Sequence, residues 1–313
     1  MSAVKSKEVP ITKAIRSAFI RMPRIERLMA RIEELFAFQC EGEEPEHLVL
    51  IGEPGVGKST LLKRYVSSHT RIEHTEFTEI PALYVAIPAS CSIKKLAGEM
   101  LHALGSPFWN RGGEPERTHQ LLTLLRACKV RIIVLDEVNH LVERGSSKSH
   151  YMVGDWIKQV SEQAAVSFVL AGTPMGEQLL VTNEQLRQRF SEVEYIAPLG
   201  LGGEDEAKVF RGVLRTFQKL ITDIDCVDLA SPTVSRQIAF ATGGRLRAIR
   251  RLLVRAAELA QAGQGRRLDL AILARAFESV IYRRPPEGRN PFKAGFDGQP
   301  LTKPGEPYGP ERR

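Results

Sequence analysis

Short apolar runs alternate with helical patterns over the first 200 residues of the chain. Five runs have the length and apolar content of buried strands, and they cover residues 47–51, 82–87, 131–135, 166–171 and 193–196. Apolar residues at helical spacing occupy the other segments, at 24–38, 58–68 and about 92–104, 116–128, 150–164 and 175–189. Strands that alternate with helices predict an α/β fold with a mostly parallel five-stranded sheet between helices.

The pattern changes after about residue 203. From there the sequence predicts only helices, near 203–221, 232–242, 245–262 and 268–282. Residues 285–313 contain seven Pro and five Gly, and their scattered apolar residues bury too little surface to offset the entropy cost of ordering. We therefore expect a basic N-terminal arm (1–23), an α/β domain (24–200), an all-helical lid domain (201–284) and a disordered or partner-bound tail (285–313).

A glycine-rich segment follows the first predicted strand and opens the next helix. It fits the pattern GxxxxGK[ST], in which backbone N–H groups and the N-terminal end of a helix surround phosphates. Lys58 is then expected to reach the β- and γ-phosphates, and the Ser59 hydroxyl to ligate Mg²⁺. The predicted nucleotide-binding residues are Gly52, Glu53, Pro54, Gly55, Val56, Gly57, Lys58, Ser59 and Thr60.

The third predicted strand ends in two acids, Asp136 and Glu137, 78 residues after Lys58. Mg²⁺ requires a carboxylate, and Asp136 is predicted to hold the ion through its water ligands. Glu137 is expected to face the opposite side of an extended backbone, where it would orient or activate the attacking water. Such a pair is common at strand ends, and its meaning here depends on the phosphate loop.

Thr173 follows the fourth predicted strand, at the edge where open α/β sheets bind nucleotides. It could sense the γ-phosphate, or it could belong to an ordinary turn before Pro174. Asn139 and His140, just after the two acids, are more typical of a polar loop than of a relay of the nucleotide state.

Three arginines stand where they could act on a phosphate. Arg187 and Arg189 close a predicted helix before the last strand, and either could serve a neighbouring subunit as an arginine finger. The alternative is that Arg187 and Arg189 belong to an ordinary surface helix end with no such function. Arg247 opens the third helix of the lid domain after two glycines, and it could point at the nucleotide.

Positive charge is concentrated in three parts of the chain, whose net charge is +7. Residues 1–28 carry a net +5, residues 283–313 a net +3, and residues 236–282 hold nine Arg against three acids. These clusters suggest a polyanion partner, although a solvated basic face would look the same. Apolar runs of membrane-spanning length and a secretory leader pattern are absent, so we expect a cytoplasmic protein with no membrane partner. The four Cys lack metal-site spacing and are expected to be ordinary buried thiols.

The order of these motifs over residues 24–282 resembles that of AAA+ ATPases. The phosphate loop, the acidic strand end, Thr173, the Arg187/Arg189 pair and the GGRLR segment with Arg247 match Walker A, Walker B, sensor 1, the arginine finger and sensor 2. More narrowly, the segments IRSAFIRMPRIERLMARIEELF, HLVLIGEPGVGKSTLLKRY, IIVLDEVNHL and VLAGTP resemble the TniB/TnsC-type transposition regulators. MuB and IstB are more distant relatives in function.

This resemblance implies ATP and Mg²⁺ as cofactors and a homo-oligomeric ring or helical filament on double-stranded DNA. It implies that the assembly marks a target site and recruits a DDE transposase (TniA or TnsB-like), with a TniQ-like target selector and with hydrolysis driving disassembly. The sequence shows no DDE triad of its own, so the chain would regulate strand transfer without performing it.

DNA contacts in such an assembly would come from loops that line a central channel and bind phosphates with little sequence preference. The candidates are Lys94 and Lys95 in the predicted loop 90–95, Arg111 in the segment 109–113, and Lys148 in the polar loop 145–149. Each lysine taken alone is more typical of a solvated surface.

Three other functions fit parts of the pattern. A helicase loader of the DnaC or Orc-like kind, or another DNA-remodelling ATPase, shares the motifs but would have different partners. A motor that acts on protein or on single strands would need accessory domains for which 313 residues leave little room. A small-molecule P-loop kinase fits least, because Glu137 and the helix-end arginines favour hydrolysis.

Overall fold

The structure is a computed structural model that describes residues 10–41, 45–89, 91–142, 147–263 and 265–310. Its α-helices, in chain order, are α1 (Ile11–Ser17), α2 (Pro23–Glu41), α3 (Lys58–Ser68), α4 (Ile93–Ala103), α5 (Glu114–Ala127), α6 (Ser147–Ala164), α7 (Gln178–Thr182), α8 (Glu184–Arg189), α9 (Glu204–Gln218), α10 (Pro232–Thr242), α11 (Leu246–Ala262) and α12 (Leu270–Val280). Its strands are β1 (Leu48–Gly52), β2 (Ile72–Glu73), β3 (Thr78–Glu79), β4 (Ala82–Ala86), β5 (Ile132–Asp136), β6 (Ser167–Gly172), β7 (Glu192–Ile196), β8 (Asp225–Cys226) and β9 (Arg267–Leu268). Of the helices described, none has both the length and the apolar character needed to cross a membrane.

The chain divides into two compact units, and the first is an α/β unit formed by Pro23–Pro54 and Lys58–Ala197. Its sheet has the strand order β4-β5-β6-β1-β7, and every neighbouring pair is parallel. All residues of β1, β5 and β6 are buried, whereas β7 forms an edge with exposed positions. The predicted five-stranded parallel α/β sheet is confirmed.

The core of this unit forms where helices cover the sheet. Leu96, Met100 and Leu101 of α4 repeat at helical spacing and are fully buried, in the same apolar cluster as the central strands. Burial of such side chains contributes roughly 1.5–3 kcal/mol each. This packing makes the sheet a rigid base for the loops at its edges.

One helix predicted in this unit is interrupted. The segment expected at 175–189 consists of a short 3₁₀ helix (Pro174–Glu177) followed by α7 and α8. Asn183 lies between α7 and α8 with an extended backbone, and its side-chain oxygen accepts the N–H of Leu186 at 2.9 Å. The prediction of one continuous helix was wrong because periodicity does not register an internal N-cap.

The second unit is mainly helical and comprises the chain before Pro23, the short segment Gly55–Gly57 and the chain from Pro198 onward. Its centre is the pair α11 and α12, where Leu252, Leu253 and Phe277 are completely buried. Two-residue strands β8 and β9 pair in parallel within it. The prediction of an all-helical domain therefore missed this short pair.

The N-terminal arm is partly folded into the helical unit. Helix α1 packs on α11, with Ile15 completely buried and Arg16 at 3.2 Å from Glu258. Arg250 of α11 donates to the carbonyl oxygen of Ala18 at 2.8 Å, and burial lowers the pKa of its guanidinium. Arg250 of the basic helix α11 thus holds the arm in place. Fewer arginines of α11 are therefore available to contact a polyanion than the sequence suggested.

The Pro/Gly-rich tail is ordered over residues 285–310 and folds onto the same unit. Phe292 and Leu301 are buried, and Arg289, 5% exposed, forms ion pairs with Asp297 at 2.7 Å and with Glu306 at 2.6 Å. The expected disorder does not apply to these residues. Composition alone did not predict this order, because it cannot show that Phe292 and Leu301 are buried or that Arg289 pairs with two carboxylates.

His47, just before β1, is a buried histidine in its neutral form. Its Nδ1 accepts the N–H of Phe168 at 3.1 Å, and its Nε2 lies 3.2 Å from the Oγ of Ser161, whose hydroxyl donates to the carbonyl of Val166. Burial, and secondarily repulsion from Arg189, lowers the pKa of His47 to about 4. Protonation would direct an N–H of the ring at the N–H of Phe168.

We expect acid to destabilise the protein through His47. Because the folded-state pKa is below the unfolded value of 6.5, the contribution is complete above pH 6.5 and is lost as the pH falls towards 4. A shift of this size corresponds to about 3 kcal/mol. Urea unfolding between pH 7 and pH 4 should show a shallower pH dependence for His47→Asn than for wild type, while the exposed-site control His74→Asn should follow wild type. Parallel curves for His47→Asn and wild type would contradict this role.

Candidate nucleotide-binding site

The phosphate loop joins the buried strand β1 to helix α3. Gly55 and Gly57 have φ angles of +86° and +113°, which favour glycine. Within the helical unit, to which Gly55–Gly57 belong, a Cβ on Gly55 would lie 3.1 Å from the Cβ of Arg247, and one on Gly57 would lie 3.2 Å from Cδ1 of Leu246. Side chains at these two positions would strain the loop, so its glycines are required by its shape.

Lys58, the first residue of α3, is buried, and its ammonium lies within the loop. Its Nζ donates to the carbonyl oxygens of Gly52 at 2.6 Å and Glu53 at 3.2 Å. Ser59 and Thr60 follow in the first turn of α3, where free backbone N–H groups and the helix dipole favour an anion. This cation, hydroxyl and helix end form an arrangement that can hold phosphates.

Asp136 ends strand β5 with only 1% of its surface exposed. Its Oδ2 accepts the hydroxyl of Tyr84 on the neighbouring strand β4 at 2.7 Å, and its Oδ1 accepts the N–H of Glu137 at 2.9 Å. Burial, followed by the hydrogen bond to Asp136, raises the pKa of Tyr84, so the phenol stays a donor to the carboxylate. The sequence analysis did not find Tyr84, whose only signal is a polar group within an apolar strand.

Glu137 has a left-handed backbone, with φ 61° and ψ 42°. This conformation is uncommon for residues other than glycine, costs on the order of 1–3 kcal/mol, and recurs at functional sites. The expectation of an extended backbone at Glu137 was wrong, because the Asp136 carboxylate binds its N–H and the chain turns at once into the 3₁₀ helix Val138–Leu141.

Thr173 follows β6, which lies between β5 and β1 in the sheet. Its backbone N–H donates to the side-chain oxygen of Asn139, a residue that is 4% exposed, at 3.3 Å. A Cβ on Gly172 would lie 2.7 Å from Cγ2 of Val138, so the turns after β5 and β6 pack directly on each other. Asn139 is therefore a structural link within the candidate site, not the plain polar loop that the sequence favoured.

The donor set fits Mg²⁺. A hydroxyl at Ser59 and a carboxylate at Asp136 are hard oxygen ligands. Asp136 ends β5, which lies two strand spacings, about 10 Å, from β1, the strand that leads through the loop to Ser59. Across the described residues, no group of three or more His, Cys, Asp or Glu side chains could hold a metal ion. Mg²⁺ needs no such group when nucleotide phosphates and water complete its shell.

Arg187 and Arg189 lie at the opposite edge of the same sheet. They end α8, just before β7, and β7 runs parallel to β1 with Glu192 opposite Leu48. The arginines are thus at the amino edge of strands whose carboxyl edge carries the phosphate loop, a strand length of about 13 Å away. Their side chains are 61% and 40% exposed and pair with Glu184 and Glu162. This placement keeps both arginines away from the phosphate loop at the other edge of their own sheet.

Arg247 is the second residue of α11 and is exposed. Within the helical unit, its backbone N–H donates to the carbonyl oxygen of Gly55 at 3.0 Å. The sequence prediction that Arg247 points at the nucleotide stays a prediction, and the contact observed is this backbone bond to Gly55.

The proposed DNA-contacting residues Lys94 and Lys95 lie in the first turn of α4, not in a loop. Ser92 caps this helix, which begins at Ile93, inside the segment 90–95 that the sequence predicted as a loop. Both lysine side chains are exposed. Lys148 lies in α6, also not in a loop, and its side chain is outside the described residues.

A buried arginine connects α4 to the segment that carries Arg111. Arg117 of α5, 9% exposed, donates to the carbonyl oxygen of Lys94 at 3.2 Å and to that of Arg111 at 3.2 Å. The guanidinium of Arg111 is exposed and lies 4.9 Å from the ring centroid of Phe108. Two of the three predicted DNA-binding segments are therefore adjacent, and Arg117, which the sequence analysis missed, joins them.

Comparison with solved structures places this chain among AAA+ ATPase folds. Cdc6p of Pyrobaculum aerophilum matches with a TM-score of 0.65 and 17% identity over 86% of this chain and 71% of its own. Orc1 of Aeropyrum pernix, solved in complex with DNA, matches with a TM-score of 0.60 and 21% identity over 83% of this chain. The match spans 66% of that Orc1 chain. A point variant of RuvB from Thermotoga maritima matches with a TM-score of 0.50 and 18% identity over 84% of this chain and 70% of its own.

Sequence comparison narrows the family. A search of curated proteins found no match. A family model described as "Bacterial TniB protein" matches residues 11–197, which is more than half of the chain and includes the phosphate loop, Asp136, Glu137 and Arg189. The chain belongs to the TniB family.

Proposed function

We propose that this chain is an ATP-dependent regulator of DNA transposition. In this proposal it binds ATP and Mg²⁺, assembles on double-stranded DNA, marks the target site, and recruits and activates a DDE transposase. Hydrolysis of ATP drives disassembly. The observation that carries the proposal is that, in a TniB-family chain, the nucleotide residues lie at one sheet edge and the two arginines at the other.

The chemistry assigned to the site follows from its residues. Lys58 exchanges the carbonyls of Gly52 and Glu53 for the β- and γ-phosphates of ATP. Ser59, and Asp136 through water ligands, would hold Mg²⁺, which would neutralise charge on the phosphates. Glu137 orients and activates the attacking water, and its backbone hydrogen bond to Asp136 fixes the start of its side chain beside the metal ligand.

Assembly is coupled to ATP through Arg187 or Arg189. Because neither arginine is at the phosphate edge of its own sheet, Arg187 or Arg189 can stabilise the charge that develops during hydrolysis only at the site of a second copy. ATP bound at such a boundary favours the assembled state, and its hydrolysis weakens the boundary. The same geometry fits a closed ring or an open helical filament.

DNA binding is assigned to the exposed cations Lys94, Lys95 and Arg111, joined by Arg117. Lysine and arginine contacts to phosphates give affinity without reading base sequence, as a target-marking protein requires. The choice of target then falls to a partner of the TniQ type.

The second candidate is a helicase loader or another DNA-remodelling ATPase. It is favoured by the fold likeness to Orc1 and Cdc6p. Purified transposase and replicative helicase, offered in parallel to the ATP-bound assembly on DNA, distinguish the two functions by which protein is retained.

We expect assemblies on duplex DNA to form only with a triphosphate. Negative-stain electron microscopy with ATP, a non-hydrolysable analogue, ADP and no nucleotide should show rings or filaments in the first two conditions alone. Lys58→Ala should remove them, because the loop then lacks the cation that balances the phosphates. Assemblies formed by Lys58→Ala in the presence of ATP would refute this coupling.

Glu137→Gln should trap the assembled state. Gln keeps the size of Glu but cannot accept a proton, so hydrolysis should slow by about 100-fold or more while ATP binding persists. Phosphate release and dissociation from immobilised DNA, followed after excess ATP is removed, measure the two effects. If this variant leaves DNA as fast as wild type, Glu137 does not position the water.

Replacing Lys94 and Lys95 by Ala should weaken DNA binding equally for unrelated sequences. The slope of log K against log salt should fall in magnitude by about 1.8, or 0.9 for each phosphate contact. The matched control is the double variant Lys208→Ala and Lys219→Ala, which removes the same charge from exposed positions of the helical unit. Equal slopes for the two double variants would place the DNA surface elsewhere.

A further inference from the structure

The turn before Arg247 is held between two parts of the helical unit. Gly243 and Gly244 form it with φ angles of +53° and +67°. On one side, the carbonyl oxygen of Gly244 accepts the N–H of Leu199 at 2.9 Å, and a Cβ on Gly244 would overlap the carbonyl oxygen of Leu199. This close contact leaves the turn no freedom on that side.

Tyr308 of the tail holds the other side. Its hydroxyl donates to the carbonyl oxygen of Ala241 at 2.9 Å, and the guanidinium of Arg245 lies 4.3 Å from its ring centroid. A Cβ on Gly243 would lie 2.9 Å from Cδ2 of the Tyr308 ring. The tyrosine therefore contacts the residues before, within and after the turn.

The tail is anchored next to Tyr308. Arg289 binds Glu306, two residues before Tyr308, through two parallel hydrogen bonds of 2.6 Å, a fork geometry that is strong and directional. The N–H of Tyr308 also donates to the carbonyl of the buried Leu301 at 3.0 Å. These bonds give the aromatic ring a fixed position.

The turn leads directly to the phosphate-loop tip. Arg245 is the N-cap of α11, and two residues later the N–H of Arg247 donates to Gly55 at 3.0 Å. A Cβ on Gly55 would also lie 3.8 Å from the Cβ of Arg245. A change in the turn would therefore move both the side chain of Arg247 and its bond to the loop.

We propose that Tyr308 is a positioning residue. By holding the turn formed by Gly243 and Gly244, it sets the placement of Arg247 for the nucleotide's γ-phosphate. The proposal rests on the proposed function, to which it adds the contact between Arg247 and the nucleotide that the sequence predicts. Residues 285–310 then act as a strap on the turn that presents this arginine.

The test compares four variants of the full chain: Tyr308→Leu, Tyr308→Phe, Arg247→Ala and the double variant Tyr308→Leu with Arg247→Ala. Fluorescent ADP and a fluorescent non-hydrolysable ATP analogue give two dissociation constants for each, and their ratio is the readout. Tyr308→Leu should lose about 5- to 10-fold of the preference for the triphosphate, the range of one partly buried cation–π contact. Tyr308→Phe keeps the ring and should stay within about twofold of wild type.

The double variant identifies the route of the effect. If Tyr308 acts through Arg247, Tyr308→Leu adds no further loss in the Arg247→Ala background. A wild-type ratio for Tyr308→Leu, or losses that multiply in the double variant, would overturn the proposal. Tyr282→Leu, in the same unit, is the matched control and should keep the wild-type ratio.

The ratios measured for Arg247→Ala and Tyr308→Leu distinguish failure of the strap proposal from failure of the nucleotide contact on which it rests. If Arg247→Ala itself keeps the wild-type ratio, Arg247 does not bind the γ-phosphate, and the strap proposal is overturned together with that contact, whereas the proposed function stands on Lys58, Asp136 and Glu137. If Arg247→Ala loses the ratio and Tyr308→Leu does not, only the strap proposal is overturned. Arg245→Leu removes the same ring contact from the other partner, so it provides the test should Tyr308→Leu not fold. It should match the loss expected for Tyr308→Leu.

Discussion

The candidate site depends on the parallel hydrogen-bonding register of β5, β6 and β1. In a parallel sheet all carboxyl ends lie at one edge, and the register pairs Asp136 with Ala171 and Ile51 with Gly172. The residues that follow these strands are therefore brought together although they are far apart in sequence. The same register, extended to β7, sends the chain's helix-end arginines to the other edge. One constraint thus gathers the residues proposed to bind ATP and separates them from the two helix-end arginines.

Buried polar side chains turn this arrangement into a defined geometry. Tyr84 and the Glu137 N–H occupy the two oxygens of Asp136, Asn139 joins the turns after β5 and β6, and Arg117 joins α4 to the segment of Arg111. Each is a polar group whose burial costs free energy unless it is hydrogen-bonded. Their bonds mostly reach backbone atoms of loops, so they hold in place segments that an apolar core alone would leave free.

Sequence patterns predicted the sheet, most helices and the nucleotide residues because these depend on local periodicity and on closely spaced motifs. They missed Tyr84 and Arg117 and assigned Asn139 to a polar loop, since a polar residue that hydrogen-bonds a group distant in sequence leaves no periodic signal. They misjudged Glu137 because the left-handed turn arises from a hydrogen bond to its neighbour. The tail was misread for a related reason: composition averages over the segment, whereas Arg289 holds it through two specific carboxylates.

Several arginines of the arm, of α11 and of the tail bind other groups inside the helical unit. Arg16 and Arg250 hold α1 on α11, Arg255 pairs with Glu258, and Arg289 organises the tail. The three basic clusters suggested a polyanion partner, yet several of their arginines bind acids and carbonyls of the helical unit itself. The exposed cations on α4 and beside α5, which are Lys94, Lys95 and Arg111, form few such bonds within their own unit. Exposed cations are thus found on both units, on α4 and beside α5 as well as at Arg247, Arg251 and Arg275 of the helical unit.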